Sequence, residues 1–289
     1  MNDLARGRAS PSLEDVRAFW DANPLFGGES RYVPGDGPFF EEFEDTTLRE
    51  HSGAIAPIFV RGVRAGVKVL DVGCGVGFWV GQFCRLGAQV SACDLSERAV
   101  EITRRRLQFY SLSGDVRAGN AEQLPYADAS FEHINCQGVI HHTPNPKACI
   151  DEFYRVLAAG GTVCLSVYFK TWALRSKLLF KAYTFLARRM MVLKGRGRES
   201  MLWVDRPEEL VRMYDGALNP IGRAYTHTEL QELLGGRFQV LERMRFGFPR
   251  RALPFEVPDR LHRLLSRRFG LMIIYRCKKL GTNAGIEAS

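Results

Sequence analysis

Glycines recur at every second position in Val69-Leu70-Asp71-Val72-Gly73-Cys74-Gly75-Val76-Gly77. Without Cβ atoms, Gly73, Gly75 and Gly77 let a ligand lie against the backbone and allow positive φ in the turn. Two carboxylates accompany them: Asp71, just ahead of the loop, and Asp94, 19 residues after Gly75. A carboxylate placed like Asp94 accepts both hydroxyls of a ribose. The loop is not a phosphate loop, because Phe78-Trp79 stands where Gly-Lys-Ser/Thr is needed. A dinucleotide fits poorly as well: position 78 is Phe, and Asp71 would repel a pyrophosphate. A nucleoside ligand with a cationic amino-acid end, such as S-adenosylmethionine, suits Asp71 better. The bland alternative is a tight turn with no ligand. Further along, His141 and His142 place two imidazoles side by side. Imidazole titrates near neutrality and suits general-base work.

The elements that must position these groups follow from the pattern. Val67, Val69, Leu70 and Val72 make a short apolar run of the kind seen in buried parallel strands. Similar runs fall at 89–94, near Val116, at 131–136, 162–168, 238–246 and 271–277, which gives seven strands. Helical stretches separate them, as at 77–85, 96–109, 146–157 and 228–234. This alternation predicts an α/β fold with a doubly wound, Rossmann-like parallel sheet, its ligand crevice at the strand C-termini. Ser12 and Asp15 form a capping box for a helix running to about Asp21. Helix is also expected from Phe39 onward. Residues 247–269 read as an irregular basic insert, and the ends, 1–11 and 281–289, as disordered.

Composition bounds the rest. The chain has 289 residues, 46% hydrophobic and 25% charged, which fits a globular protein. No run of 18 apolar residues predicts a transmembrane helix, and the first 20 residues carry Asp3, Glu14 and Asp15 with no apolar h-region, so no secretory signal is expected. Seven scattered cysteines without a CxxC pair argue against a disulfide scaffold or a zinc ribbon, so no metal site is expected and a reducing cytoplasm is the simplest home. Of the net +8, residues 170–198 carry nine cations and no acid, which leaves the remaining residues near −1.

Together VLDVGCGVG, CDLS, GNAEQLPYADASFEHINC, GVIHHTPNP and EFYRVLAAGG resemble the class I S-adenosylmethionine-dependent methyltransferases, most closely the ubiquinone/menaquinone-biosynthesis type. The resemblance covers roughly residues 65–168. It implies that Gly73, Cys74, Gly75 and Gly77 pass beneath the cofactor's methionine part, with Asp71 near its ammonium. Asp94 would hold the ribose, and Leu95 would pack on adenine. Asn120-Ala121-Glu122 would meet the adenine, Asn120 replacing the usual Asp, and Gln137 would lie near the sulfonium. His141 and His142 would stand near the reacting methyl, His142 being the favoured base; its alternative role is to shape the pocket.

Four further segments complete the expected domain plan. Residues 1–66 form a helical lid segment, in which Tyr32 is an expected cofactor contact. Residues 67–168 form the cofactor-binding core, 169–225 a basic helical cap, and 226–280 the completion of the sheet. Trp20, Tyr168, Trp203 and Tyr225 are the expected acceptor contacts. Residues 172–193 read as one amphipathic cationic helix. Three roles are open to it: a roof over an apolar acceptor pocket, a peripheral contact with an anionic membrane, or a grip on tRNA phosphates. The expected activity is methyl transfer to O, N or C of a small or amphipathic molecule. The alternatives are a wobble-uridine tRNA methyltransferase, with nucleic acid the less favoured partner, and a catalytically silent binding subunit. No oligomeric state is assigned.

Overall fold

A computed structural model describes residues 10–53, 55–191 and 196–281. The polar start over 1–9, Lys194 and the tail over 282–289 lie outside the described residues.

The chain opens with α1 (Leu13–Ala22), α2 (Gly37–Glu50) and a short α3 (Pro57–Val60). There follow β1 (Lys68–Val72), α4 (Phe78–Arg85), β2 (Gln89–Asp94), α5 (Glu97–Phe109), β3 (Asp115–Ala118), β4 (Phe131–Gln137), α6 (Pro146–Val156) and β5 (Leu157–Phe169). An insertion holds α7 (Lys177–Met190) and α8 (Pro207–Arg212) and ends at β6 (Ala224–Tyr225). The last elements are α9 (His227–Leu234), β7 (Phe238–Phe246), α10 (Asp259–Phe269) and β8 (Met272–Lys279).

Local chemistry sets several helix starts. Ser12 accepts from the Asp15 backbone while Asp15 accepts from the Ser12 backbone, the reciprocal cap expected for α1. Thr226 and Glu229 repeat it for α9, and Asn145 caps α6 with Pro146 in its first turn.

The sheet order is β3-β2-β1-β4-β5-β8-β7. β1 to β5 pair in parallel, while β8 runs antiparallel to both β5 and β7. The expectation of a wholly parallel sheet is therefore corrected at this edge. β6 makes an eighth strand beside the end of β5. Chain order reverses between β1 and β4, and a ligand crevice opens outside the strand ends at such a switch point. The sheet's two faces are covered by separate apolar clusters, one under α6 and α9, the other under α4 and α5. All seven cysteines are free; only Cys84 is less than fully buried.

Two helical expectations change. The helix expected over 172–193 begins only at Lys177, with a separate 3-10 turn at Trp172–Leu174. The expected irregular insert over 247–269 contains α10, which starts after Pro258 and stops at Gly270. Among the described residues, no helix is long and apolar enough to cross a membrane.

Candidate active site

The glycine loop leaves β1 with Gly73, Gly75 and Gly77 at φ of +73°, +55° and +78°. Left-handed backbone of this kind is strained for other residues. At Gly73 space adds a second constraint: a Cβ would lie 2.2 Å from Val139 Cγ2. The Gly73 and Cys74 N–H groups donate to the Cys93 carbonyl. Gly75 N–H donates to Asp94 Oδ2, and Ser96 N–H to Asp94 Oδ1, both at 2.9 Å. Burial pushes the Asp94 carboxyl up and these donors pull it back. Asp94 thus braces the loop from the end of β2 with lone pairs to spare.

Behind the loop, a polar chain crosses from β1 to β4. Asn135 Nδ2 donates to Asp71 Oδ1 at 2.6 Å, and Gln137 Nε2 donates to Asn135 Oδ1 at 2.8 Å. Asp71 Oδ2 and Gln137 Oε1 are left buried with no donor among the described residues. Buried polar atoms are normally paired, so two bare acceptors call for a donor-rich ligand. An ammonium group supplies three N–H donors. Burial pushes the Asp71 carboxyl up to about 7, and Asp94 adds to that effect while Asn135 opposes it. These residues therefore fit the amino-acid end of S-adenosylmethionine. Asn135 was not anticipated; the signal for it was a lone amide inside an otherwise buried strand.

The Asn120 stretch forms a local turn. Asn120 Oδ1 accepts the Glu122 N–H at 2.9 Å, and Glu122 Oε1 accepts that of Asn145 at 2.7 Å. Ala121 is buried and Leu95 half-buried.

The histidine pair sits on a 3-10 turn, Ile140–His142, with both rings buried. His142 Nδ1 is 2.5 Å from the Ile221 carbonyl, and its Nε2 is 3.1 Å from Asp215 Oδ2. Tyr168 O–H donates to the same Asp215 oxygen at 2.5 Å. Burial works against charge on Asp215, yet the bonds from His142 and Tyr168 hold its carboxyl well below the usual range. The His141 ring packs between those of His142 and Tyr168, at 4.2 and 4.3 Å. Burial, with His142 beside it, pushes His141 far below the ordinary imidazole range, and its Nδ1 is unpaired. Asp215 also escaped the sequence reading; Tyr214-Asp215-Gly216, a lone acid at a turn in the insertion, was the only cue.

The N-terminal segment closes over these groups. Trp20 meets the His142 ring edge-on at 5.3 Å, and Asp21 accepts from the Ser96 hydroxyl at the start of α5. Leu25 lies 3.8 Å from where a Cβ on Gly75 would stand. Glu29 pairs with Arg198 of the insertion and with Arg251. Tyr32 packs in the aromatic cluster that includes Val76 and Phe78, directly after the loop. Tyr225 lies on β6, half-buried against the core. Trp203 is 68% exposed beneath the Arg188 guanidinium, so its expected place in a pocket wall is corrected. Among the described residues, no group of His, Cys, Asp and Glu has the makeup of a metal site.

Known proteins share parts of this sequence and this fold. A profile described as a methyltransferase domain matches residues 70–165. The ubiquinone biosynthesis O-methyltransferase of Azoarcus sp. (strain BH72) is 33% identical over 152 residues, which are 51% of this chain and 62% of that protein. Matches of this kind span about half the length of the curated relatives. A methyltransferase structure from Methanosarcina mazei superimposes with a TM-score of 0.55 at 19% identity, covering 78% of this chain and 98% of that one. A [4+2]-cyclase superimposes with a TM-score of 0.54 at 17% identity, covering 94% and 97%. At such identities the likeness is one of fold. Residues 70–165 match a methyltransferase domain, and the chain shares the Rossmann-like fold of solved structures described as S-adenosylmethionine-dependent methyltransferases.

Proposed function

We propose that this protein methylates an O, N or C atom of a small or amphipathic organic molecule, with S-adenosylmethionine as donor. The observation that carries the reading is the pair of bare acceptors, Asp71 Oδ2 and Gln137 Oε1, beside a glycine loop at the sheet's switch point. Asp71 and Gln137 would hold the cofactor's ammonium end, and Asp94 its ribose. S-adenosylmethionine supplies an already activated methyl group, so the protein's task is alignment and exclusion of water.

The enclosed histidine pair suits that task. His142 Nδ1 lies on the Ile221 carbonyl and its Nε2 on Asp215 Oδ2, so both ring nitrogens already face acceptors. With neither nitrogen open to an acceptor's proton, we assign His142, held by Asp215 and Tyr168, to shaping the pocket wall rather than to the role of base. Trp20 and Leu25 cover the site from the N-terminal side.

The test is transfer of a labelled methyl group into a native cell extract, followed by separation into solvent-extractable, RNA, protein and small polar fractions. Label in the solvent-extractable or small polar fraction is expected. Label confined to RNA would replace this acceptor class with a nucleic acid, and no label anywhere would count against the activity itself.

A further inference from the structure

Large apolar side chains left in water are concentrated in two places. Of 17 such exposed residues among those described, 11 fall within 172–203 and 255–269. α7 buries only Phe180, Thr184 and Ala187 and packs chiefly on the insertion's own turns. Its outer side shows Leu178, 78% exposed, together with Phe185, Leu186 and Met190. α10 buries only His262 and Ser266 and shows Leu261, Leu264 and Phe269.

Both helices carry cations among these side chains. Lys177, Lys181, Arg188 and Arg189 lie exposed on α7, and Arg263, Arg267 and Arg268 on α10. Between α7 and α8 runs a groove of about 480 Å³ bordered by Arg175, Lys177, Lys181 and Arg206, with Asp205 and Glu208 as its acids.

The sheet brings the two helices to one edge. α7 follows the end of β5 and α10 precedes the start of β8, where Tyr168 pairs with Met272. Between them, Arg245 of β7 lies over the Phe169 ring at 4.6 Å and donates to the Gly270 carbonyl at 2.9 Å. After burial, Arg268 and Arg175 are what most lower the Arg245 pKa, so one residue from each flank bears on it. This is the carboxyl edge of β5, the edge that also carries the histidine pair.

We infer that the outer faces of α7 and α10 together form a surface that docks on a bilayer containing anionic lipids. Its chemistry is that of an interfacial helix: apolar side chains for the acyl boundary and cations for the headgroups. Charge decides the occupant. A second copy of the chain would set cation against cation. A nucleic acid would pair with the cations and leave the leucines and Phe185 in water. Docking of this surface does not require turnover, so the inference stands apart from the proposed activity.

The test uses the full chain and vesicles of phosphatidylcholine, either pure or mixed with phosphatidylglycerol. Sedimentation with the mixed vesicles, weakened by salt, and little with the pure ones is expected. The double substitution Lys177→Glu/Lys181→Glu should cut binding by about tenfold or more. Leu178→Ser/Leu264→Ser should also weaken it, with circular dichroism and chromatographic size unchanged because these positions are exposed. No difference between the two vesicle types, or wild-type binding by the charge-reversed variant, overturns the inference. A dimer that the leucine substitutions dissociate would assign the face to a second copy and overturn it as well.

Discussion

His142 Nε2 stands 3.1 Å from Asp215 Oδ2, although the two residues belong to different parts of the chain. The histidine follows β4 of the core; the carboxylate comes from the insertion that ends at β6. Removing the charge while keeping the shape isolates what the pair does. Asp215→Asn, which removes the carboxylate that holds His142 in place, should lower methyl transfer by up to about 10²-fold through misalignment of the pocket, with a much smaller change in cofactor affinity. Tyr168→Phe, which leaves the His142–Asp215 contact in place, should cost far less. Turnover rates beside calorimetric titration with S-adenosylmethionine separate the two effects, and an Asp215→Asn rate within a few-fold of the parent would remove Asp215 from the mechanism.

Asp71 should make cofactor binding depend on pH. Its carboxyl is buried and raised to about 7, above its ordinary 3.8. A cationic ligand favours the ionised form, so affinity for S-adenosylmethionine should climb as pH rises through about 7. For folding the sign is the reverse. The folded state holds this proton more tightly than the unfolded chain, so Asp71's contribution to stability is fully present below pH 4 and is lost between roughly 4 and 7. Asp71→Asn should flatten both profiles; calorimetry across pH and denaturant melts at several pH values test them.

Gly73 and Gly138 have nearly the same φ, +73° and +76°, in very different surroundings. A Cβ on Gly73 runs into Val139, whereas one on Gly138 meets nothing within 4 Å. Gly138→Ala should therefore cost only left-handed strain, about 1–2 kcal/mol. Gly73→Ala should cost more, by about 1–3 kcal/mol beyond that, because Val139 must also move. Paired urea melts measure the difference; equal losses would show that the Val139 contact relaxes freely.

Asp94→Ala should do two things at once. It removes the acceptor for the Gly75 and Ser96 N–H groups, so the free protein itself should lose stability. Cofactor affinity should fall by roughly 1.5–3 kcal/mol, the scale for hydrogen bonds to a charged group. Unchanged affinity by calorimetry would sink the ribose assignment.

Arg106 is wholly buried in α5 and donates to Glu44 Oε2 at 2.7 Å, tying α2 to the core. Glu44 also takes Arg85. Glu44→Ala would leave the Arg106 guanidinium buried without a counter-charge, a loss of about 3–5 kcal/mol. Thermal unfolding would register this directly, and a loss below about 1 kcal/mol would mean that water reaches the guanidinium.

What the sequence makes legible here is local. The capping box at Ser12, the glycine loop after β1 and the acid at the end of β2 all act over short spans or at fixed spacing. Asp215 is different. Its meaning depends on His142, 73 positions earlier, and nothing in Tyr214-Asp215-Gly216 points back that far. Asn135 is similar, since its partner Asp71 lies on a neighbouring strand 64 positions away. The direction of β8 was invisible for another reason: an apolar run has the same composition read up or down. α10 was missed because its buried stripe is carried by His262 and Ser266, so periodicity counted over apolar residues misses it.

The cysteines offer a built-in record of how the fold comes apart. Cys93, Cys136, Cys164 and Cys277 lie on β2, β4, β5 and β8, fully shielded in the intact sheet. Burial pushes the Cys164 and Cys277 thiols up to about 12, which suppresses the reactive thiolate further. A pulse of alkylating reagent during denaturation would therefore stamp each strand at the moment it separates from its neighbours. Reading those marks by peptide mass would give the order in which the parallel half and the antiparallel edge let go.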